Sequence, residues 1–338
     1  MYLKNCWYQA GWSEEVSAGK PLVRTLLDQP ILFWRDGEGV LRALLDMCPH
    51  RFAPLSAGAV EGDKVVCGYH GLAFGTDGRC VHNPYGLVTS AMKVRSFPVI
   101  ERHLAFWIWP GDPDKADPAL LPDLSFIDDC PPSARIMGTM PTACDYRLLS
   151  DNILDLSHAD YLHPTSLGGV MTKAKATMRE EGDMVIARWE AHDAEPIPAA
   201  RASIPEGAKA DFWIQVDWHA PALMVLATAT TVAGTPSTAA NEARTLHNMV
   251  PETATSTHYF FCSVRGFLTD DPGFSACIRE ALLNAFQNED KPMIEAQQRR
   301  IGTRDFWDMK PLLLKTDGPA VLARRKLAAL IANEQEQG

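Results

Sequence analysis

The rhythm of apolar and polar positions changes near residue 110. Before it, short apolar runs (ILFWR, VLRALL, KVVCGY, LAFGTDGRCVHN, AFWIWP) alternate with turn signals at Asp36-Gly37, Glu61-Gly62-Asp63 and Thr76-Asp77-Gly78. Strands this short at this spacing predict a small antiparallel sandwich or barrel. The stretch PGDPDKADPALLPD then packs four prolines into fourteen residues, and Pro131-Pro132 follows. Proline fixes φ and lacks a backbone donor, so the segment reads as an irregular connector between two domains, 1–120 and 121–338. Beyond it, residues 146–163 predict a helix, 170–262 alternate as strands do, and 272–302 and 316–335 have helical periodicity. The fold class expected is α+β: an all-β N-terminal domain, then an antiparallel-sheet domain flanked by helices. No internal repeat or low-complexity segment interrupts it.

Composition narrows the class. The chain has 338 residues, 46% hydrophobic and 22% charged, as in an ordinary globular protein. It has no run of about 18 uncharged apolar residues, so no transmembrane helix is expected. The start, MYLKNCWYQAGWSEE, lacks an apolar stretch with a cleavage site, which makes a cytoplasmic location the expectation. A net charge of −10 argues against nucleic acid as partner. The tightest basic cluster, Arg324-Arg325-Lys326, reads as a solvated helix face. Eight cysteines, in a chain of this kind, do not suggest a disulfide framework. Two of them stand beside histidines; the other six read as small buried hydrophobes.

Those two carry the chemistry. Cys48-Pro-His50 is followed, after sixteen intervening residues, by Cys67-Gly-Tyr-His70. Each loop offers one thiolate and one imidazole, which is what a Rieske [2Fe–2S] cluster needs: two cysteines on one iron, two histidines on the other. Gly68 and Gly71 are expected to let backbone approach the cluster sulfides. Zinc accepts the same ligand types, but zinc fingers open with C-x2-C or C-x4-C and close with a helix bearing both histidines.

A second constellation lies in the other domain. Asp151, Asn152, Asp155, His158, Asp160 and His163 fall within thirteen residues. Two histidines and a carboxylate are the material of a facial triad that holds Fe(II) and leaves positions open for O2. Asp155 and His158, three apart, share a helix face. His158 and His163 are about 140° apart round an ideal helix. Sharing a metal therefore requires a π-type turn or a break, and Pro164 places the helix end at His163. The third ligand is sought in the helix after residue 272, whose apolar stripe runs through Phe274, Ile278, Leu282, Ala285, Phe286 and Met293. Glu289 and Asp290 interrupt it, one at each edge, and periodicity alone does not choose between them.

CPHRFAPLSAG with CGYHGLAFGTDGRC resembles the Rieske domain of ring-hydroxylating oxygenases and related demethylases. It lacks the extra cysteine that respiratory Rieske proteins carry beside each ligand pair. D-N-x-x-D-x-x-H-x4-H is similar to the mononuclear iron motif of that family. The resemblance implies His158 and His163 as iron ligands, Asp155 as the bridge carrying electrons from a neighbouring subunit's cluster, and Asn152 as a support. EDKPMIEAQ is similar to the family's helix bearing a ligand aspartate, which selects Asp290 and leaves Glu289 as a surface acid near Lys291.

NCWYQAGWSEEV, RSFPVIERHLAFWIWPGDPDKADP and CDYRLLSDNILDLSHADYLH extend the likeness over the whole chain, toward vanillate O-demethylase oxygenase subunits and dicamba monooxygenase. This implies a homotrimer supplied by an NAD(P)H-dependent reductase, with or without a ferredoxin; no G-x-G-x-x-G fingerprint is present in the chain itself. The reaction implied uses O2 to oxidise the methoxy group of an aromatic acid, giving a hemiacetal that collapses to a phenol and formaldehyde. Ring hydroxylation or N-demethylation is the alternative within the family; a Rieske electron carrier is the alternative outside it. His247 aligns with a family histidine that contacts the substrate carboxylate. Leu226 stands where the dicamba enzyme has an asparagine, which argues against dicamba itself.

Overall fold

In a computed structural model the described residues are 1–337, the side chain of Ala202 apart. The chain divides into two compact units: Tyr2–Asp123, and Leu124 onward together with Met1.

The first unit is β throughout, apart from short 3-10 turns. Its strands are β1 (Tyr8–Trp12), β2 (Leu22–Leu26), β3 (Gln29–Arg35), β4 (Leu41–Leu45), β5 (Ala59–Glu61), β6 (Lys64–Val66), β7 (Ala73–Gly75), β8 (Cys80–His82), β9 (Val99–Arg102) and β10 (Ala105–Ile108). They form antiparallel sheets ordered β1-β10-β9, β2-β3-β4 and β5-β6-β7-β8. Strand β3 reads as an unbroken apolar run because both of its faces are covered. Phe33 meets Phe106 edge to face at 5.1 Å. Leu32 and Trp34 lie in a cluster with Leu55, Phe74, Cys48 and Cys67.

The proline-rich stretch is more ordered than its composition suggests. It forms two 3-10 turns, Pro113–Lys115 and Pro118–Leu120, capped by the Asp112 and Asp117 carboxylates. Proline at the first turn sacrifices no intrahelical donor. Indole N–H groups fasten the segment down: Trp7 donates to the Asp117 carbonyl and Trp109 to that of Asp112, both at 2.8 Å.

The second unit is built on one antiparallel sheet. Its strands are β11 (Arg135–Thr142), β12 (Lys175–Glu181), β13 (Met184–Ala194), β14 (Ala210–His219), β15 (Leu223–Val232), β16 (Glu242–Thr253) and β17 (Ser256–Arg265), in the order β11-β17-β16-β15-β14-β13-β12. Six helices accompany it: α1 (Ser125–Asp128), α2 (Tyr146–Leu154), α3 (Ala159–Leu162), α4 (Pro272–Leu283), α5 (Lys291–Ile301) and α6 (Gly318–Gln337). Helix α2 packs on β16 and β14, and on α5 and α6; α6 also packs on β13.

Two helices depart from the sequence reading. Residues 146–163 are not one helix. The chain leaves helical geometry at Asp155 (φ −126°, ψ 88°), makes a 3-10 turn over Leu156–His158, and resumes as α3. Asp155 therefore caps the new turn instead of sharing a face with His158. Residues 272–301 are helical, but a π-helical segment over Asn284–Asp290 separates α4 from α5. Pro292 lacks the N–H that an α-helix would return to Asn288, which favours the wider turn just before it. The extra residue shifts the phase of the stripe: Phe286, Asp290, Ile294 and Gln298 are buried, whereas Met293 is half exposed.

Candidate metal centres

The four cysteine and histidine residues of the first unit sit on two loops of matching backbone. In one, after β4, the Cys48 N–H donates to the Ala53 carbonyl and the Phe52 N–H to the Cys48 carbonyl. In the other, between β6 and β7, Cys67 N–H donates to Leu72 and Gly71 N–H returns to Cys67. The fifth residue of each is left-handed, Phe52 at φ +61° and Gly71 at φ +72°. Glycine at 71 adopts that dihedral without the strain a side chain carries there, which Phe52 bears in the other loop. Gly68 is needed because a Cβ there would stand 2.8 Å from the Ala57 carbonyl oxygen; Gly58 opposite is tighter, 1.9 Å from that of Val66. Gly58 and Gly68 thus let the backbone at Ala57–Gly58 approach that around Cys67.

The loops bring the four side chains together. Cys48 and Cys67 are both buried in one cluster, near enough that Cys67 helps push the Cys48 thiol up. The His50 and His70 rings are 4.6 Å apart at the surface end. Burial pushes the Cys48 thiol up, while backbone N–H groups of His50 and Arg51 aimed at its sulfur pull it back. Paired sulfurs supplied with N–H donors, beside paired imidazoles, fit a Rieske cluster. All eight cysteines are free, and five of the six others are buried or half buried; Cys277, expected inside, is exposed.

In the second unit, α2, the turn after it and the π segment converge. His158 Nε2 and His163 Nε2 stand 3.5 and 3.1 Å from Asp290 Oδ1, and the three ligand atoms lie within 4.8 Å of one another. Donors at right angles, about 2.1 Å from a metal, would be about 3 Å apart, so the separations fit one shared cation. Asn152 Nδ2 donates to Asp290 Oδ1 at 3.1 Å. Burial alone would push the Asp290 carboxyl up, but hydrogen bonds from His158 and His163 and their charge take it down to about 2. Asp290, 6% exposed, thus faces two imidazole nitrogens and an amide, a donor set that one shared cation would complete.

The break at Asp155 makes this convergence possible. The Asp155 carbonyl lies 2.6 Å from His158 Nδ1, leaving Nε2 for Asp290. Its carboxylate accepts from Ser157 N and Thr316 Oγ1, each at 3.0 Å. Glu289, read from sequence as a surface acid near Lys291, instead lies 2.6 Å from His163 Nδ1. His247 on β16 is 2% exposed and sits 2.5 Å from the Tyr259 hydroxyl, with Phe286 stacked edge-on at 5.6 Å.

Residues 6–98 match the Rieske [2Fe–2S] domain, and residues 142–333 match the vanillate O-demethylase oxygenase C-terminal domain. The chain belongs to the Rieske oxygenases of the vanillate O-demethylase type. Within this family it is 38% identical to the oxygenase component of dicamba O-demethylase from Stenotrophomonas maltophilia, over 97% of this chain and 98% of that one. It is also 38% identical to the oxygenase component of chloroacetanilide N-alkylformylase from Rhizorhabdus wittichii, over 99% and 97%. A crystal structure of dicamba monooxygenase with non-heme iron and dicamba superposes with a TM-score of 0.83 at 35% identity, covering 100% of this chain and 99% of that one.

Sequence reasoning missed three contributors to this Rieske oxygenase's second centre: Thr316 behind Asp155, Tyr259 behind His247, and Arg324. The last was read as part of a solvated face, yet it is buried against Asp151. Each acts across a long stretch of chain, and none belongs to a local motif.

Proposed function

We propose that this chain is the oxygenase component of a multicomponent system that O-demethylates a methoxylated aromatic acid. The observation that carries the reading is the convergence of His158, His163 and Asp290 in a chain that also pairs Cys48 and His50 with Cys67 and His70. Two such donor sets suit a one-electron store and an oxygen-activating metal.

Cys48, His50, Cys67 and His70 would hold the [2Fe–2S] cluster, and His158, His163 and Asp290 a mononuclear Fe(II). Bound there, the iron supplies O2 activation at the coordination positions the three ligands leave open. The balance is methoxyarene, O2, two electrons and two protons to phenol, formaldehyde and water. Asn152 orients Asp290 through its amide, and the Asp155 carbonyl accepts the Nδ1–H of His158, so each donor is fixed before substrate enters. Tyr259 holds the His247 ring, which we place against the carboxylate of the substrate. Burial pushes His247 down to about 3, so without substrate the ring is held neutral. Asp155 we assign as the bridge by which electrons arrive, in a cytoplasmic homotrimer whose neighbouring subunit delivers them. NAD(P)H is the ultimate donor, its electrons passed on by a reductase directly or through a ferredoxin.

The test is formaldehyde release from a panel of methoxybenzoates, with reductase and NAD(P)H present. Formaldehyde stoichiometric with phenol supports the reading; none from any methoxyarene overturns it. N-dealkylation is the second reading, because the N-alkylformylase component is as similar as the dicamba one. N-alkyl anilides in the same panel separate the two.

A further inference from the structure

Two consecutive acids bracket one imidazole. Asp290 Oδ1 is 3.1 Å from Nε2 of His163, and Glu289 Oε2 is 2.6 Å from Nδ1 of the same ring. A carboxylate accepts and does not donate, so Glu289 takes the Nδ1–H of His163, and Nε2 is the nitrogen turned toward Asp290 and left to serve a bound metal. Consecutive side chains diverge as they leave a helix, and the His163 ring, 2% exposed, fills the space between these two.

Glu289 is itself held. Asn284 Nδ2 donates to Glu289 Oε1 at 3.0 Å, and Asn288 Nδ2 donates to Asn284 Oδ1 at 3.0 Å. Asn284 and Glu289 are five apart, the spacing that the π-helical segment Asn284–Asp290 brings into register. The two histidines are thus steadied by unlike groups. His158 relies on a backbone carbonyl, which no side-chain change removes, whereas His163 relies on a side chain with its own anchor.

We propose that Glu289 is a positioning residue for the mononuclear iron: it accepts the Nδ1–H of His163 and so presents Nε2 to the metal. This rests on the iron-site reading above. Outer partners of metal-bound histidines typically change affinity about 10- to 100-fold when removed, and Glu289→Ala is expected to weaken Fe(II) binding on that scale. Glu289→Gln keeps an accepting oxygen and should recover most of the loss. Glu280→Ala, an exposed acid on α4, should bind as the parent does.

The experiment measures the Fe(II) dissociation constant of the full chain by equilibrium dialysis, with cluster content followed by visible circular dichroism. Loss in Glu289→Ala with recovery in Glu289→Gln, the cluster signal unchanged, supports the assignment. Parental affinity in Glu289→Ala overturns it. If Glu289→Ala does not fold, Glu289→Gln decides: near-parental affinity supports the assignment, and a tenfold or greater loss overturns it. A parent chain holding only the two cluster irons would overturn it together with the iron-site reading.

Discussion

Arg324 on α6 grips Asp151 on α2: Nε donates to both carboxylate oxygens at 2.9 Å and Nη2 to Oδ2 at 2.6 Å. Its guanidinium also lies 4.2 Å from the centre of the Phe306 ring. Asp151 directly precedes Asn152, whose amide meets Asp290. The C-terminal helix is thereby tied to the segment that carries the second centre. Burial pushes the Asp151 carboxyl up, and Arg324 draws it back. Arg324→Ala would leave that carboxylate without its partner. The expected cost is about 2–3 kcal/mol, below the range for fully buried pairs because Asp151 keeps some solvent contact. A chemical denaturation midpoint within error of the parent's would refute the coupling.

Gly58 is a steric requirement. A methyl group there would meet the Val66 carbonyl oxygen at 1.9 Å and the Gly68 nitrogen at 2.7 Å. Both are backbone, and neither can rotate away. Gly58→Ala should cost about 3 kcal/mol or more and separate the two cysteine loops. The readout is the visible absorbance of the cluster, which should be lost, while the second unit retains far-UV signal.

His247 makes stability depend on pH in a stated direction. Burial holds its folded pKa near 3, against about 6.5 in the unfolded chain. Between those values the unfolded state binds a proton that the folded state refuses. This group's contribution is therefore complete above pH 6.5 and is lost as pH falls toward 3, by up to about 1.4 kcal/mol per unit. Urea midpoints at pH 7.5, 6.0 and 5.0 should fall more steeply for the parent than for His247→Gln. Parallel slopes would remove His247 as the cause.

Asp155→Asn separates capping from bridging. Asparagine caps helical turns as aspartate does, so the bond from Ser157 N and the turn over Leu156–His158 should persist. Iron content is expected to stay parental while turnover drops about tenfold or more. Full turnover in this variant would end the bridging assignment.

Some of this was readable along the chain because its cause is local. The Cys48/His50 and Cys67/His70 loops are short, each closes its own backbone hydrogen bonds, and spacing alone put one thiol and one imidazole on each. The need for a break between His158 and His163 followed from helix geometry. Its place did not: the chain breaks at Asp155, where the freed carbonyl meets His158 Nδ1. The π turn likewise moved the buried phase from Met293 to Ile294, because one wide turn shifts every later residue and periodicity assumes a constant pitch.

What the sequence by itself determined was the donor inventory, the two-domain plan and the α+β class. Only the tertiary structure decided which acid faces which nitrogen. Glu289 and Asp290 are neighbours with the same chemistry, and their difference lies in His163, more than 120 residues away in the chain and 2.6 and 3.1 Å from them in space. Arg324 became an internal partner for the same reason. A charge's role is set by what folding brings against it, and a helical pattern records only the face on which it starts.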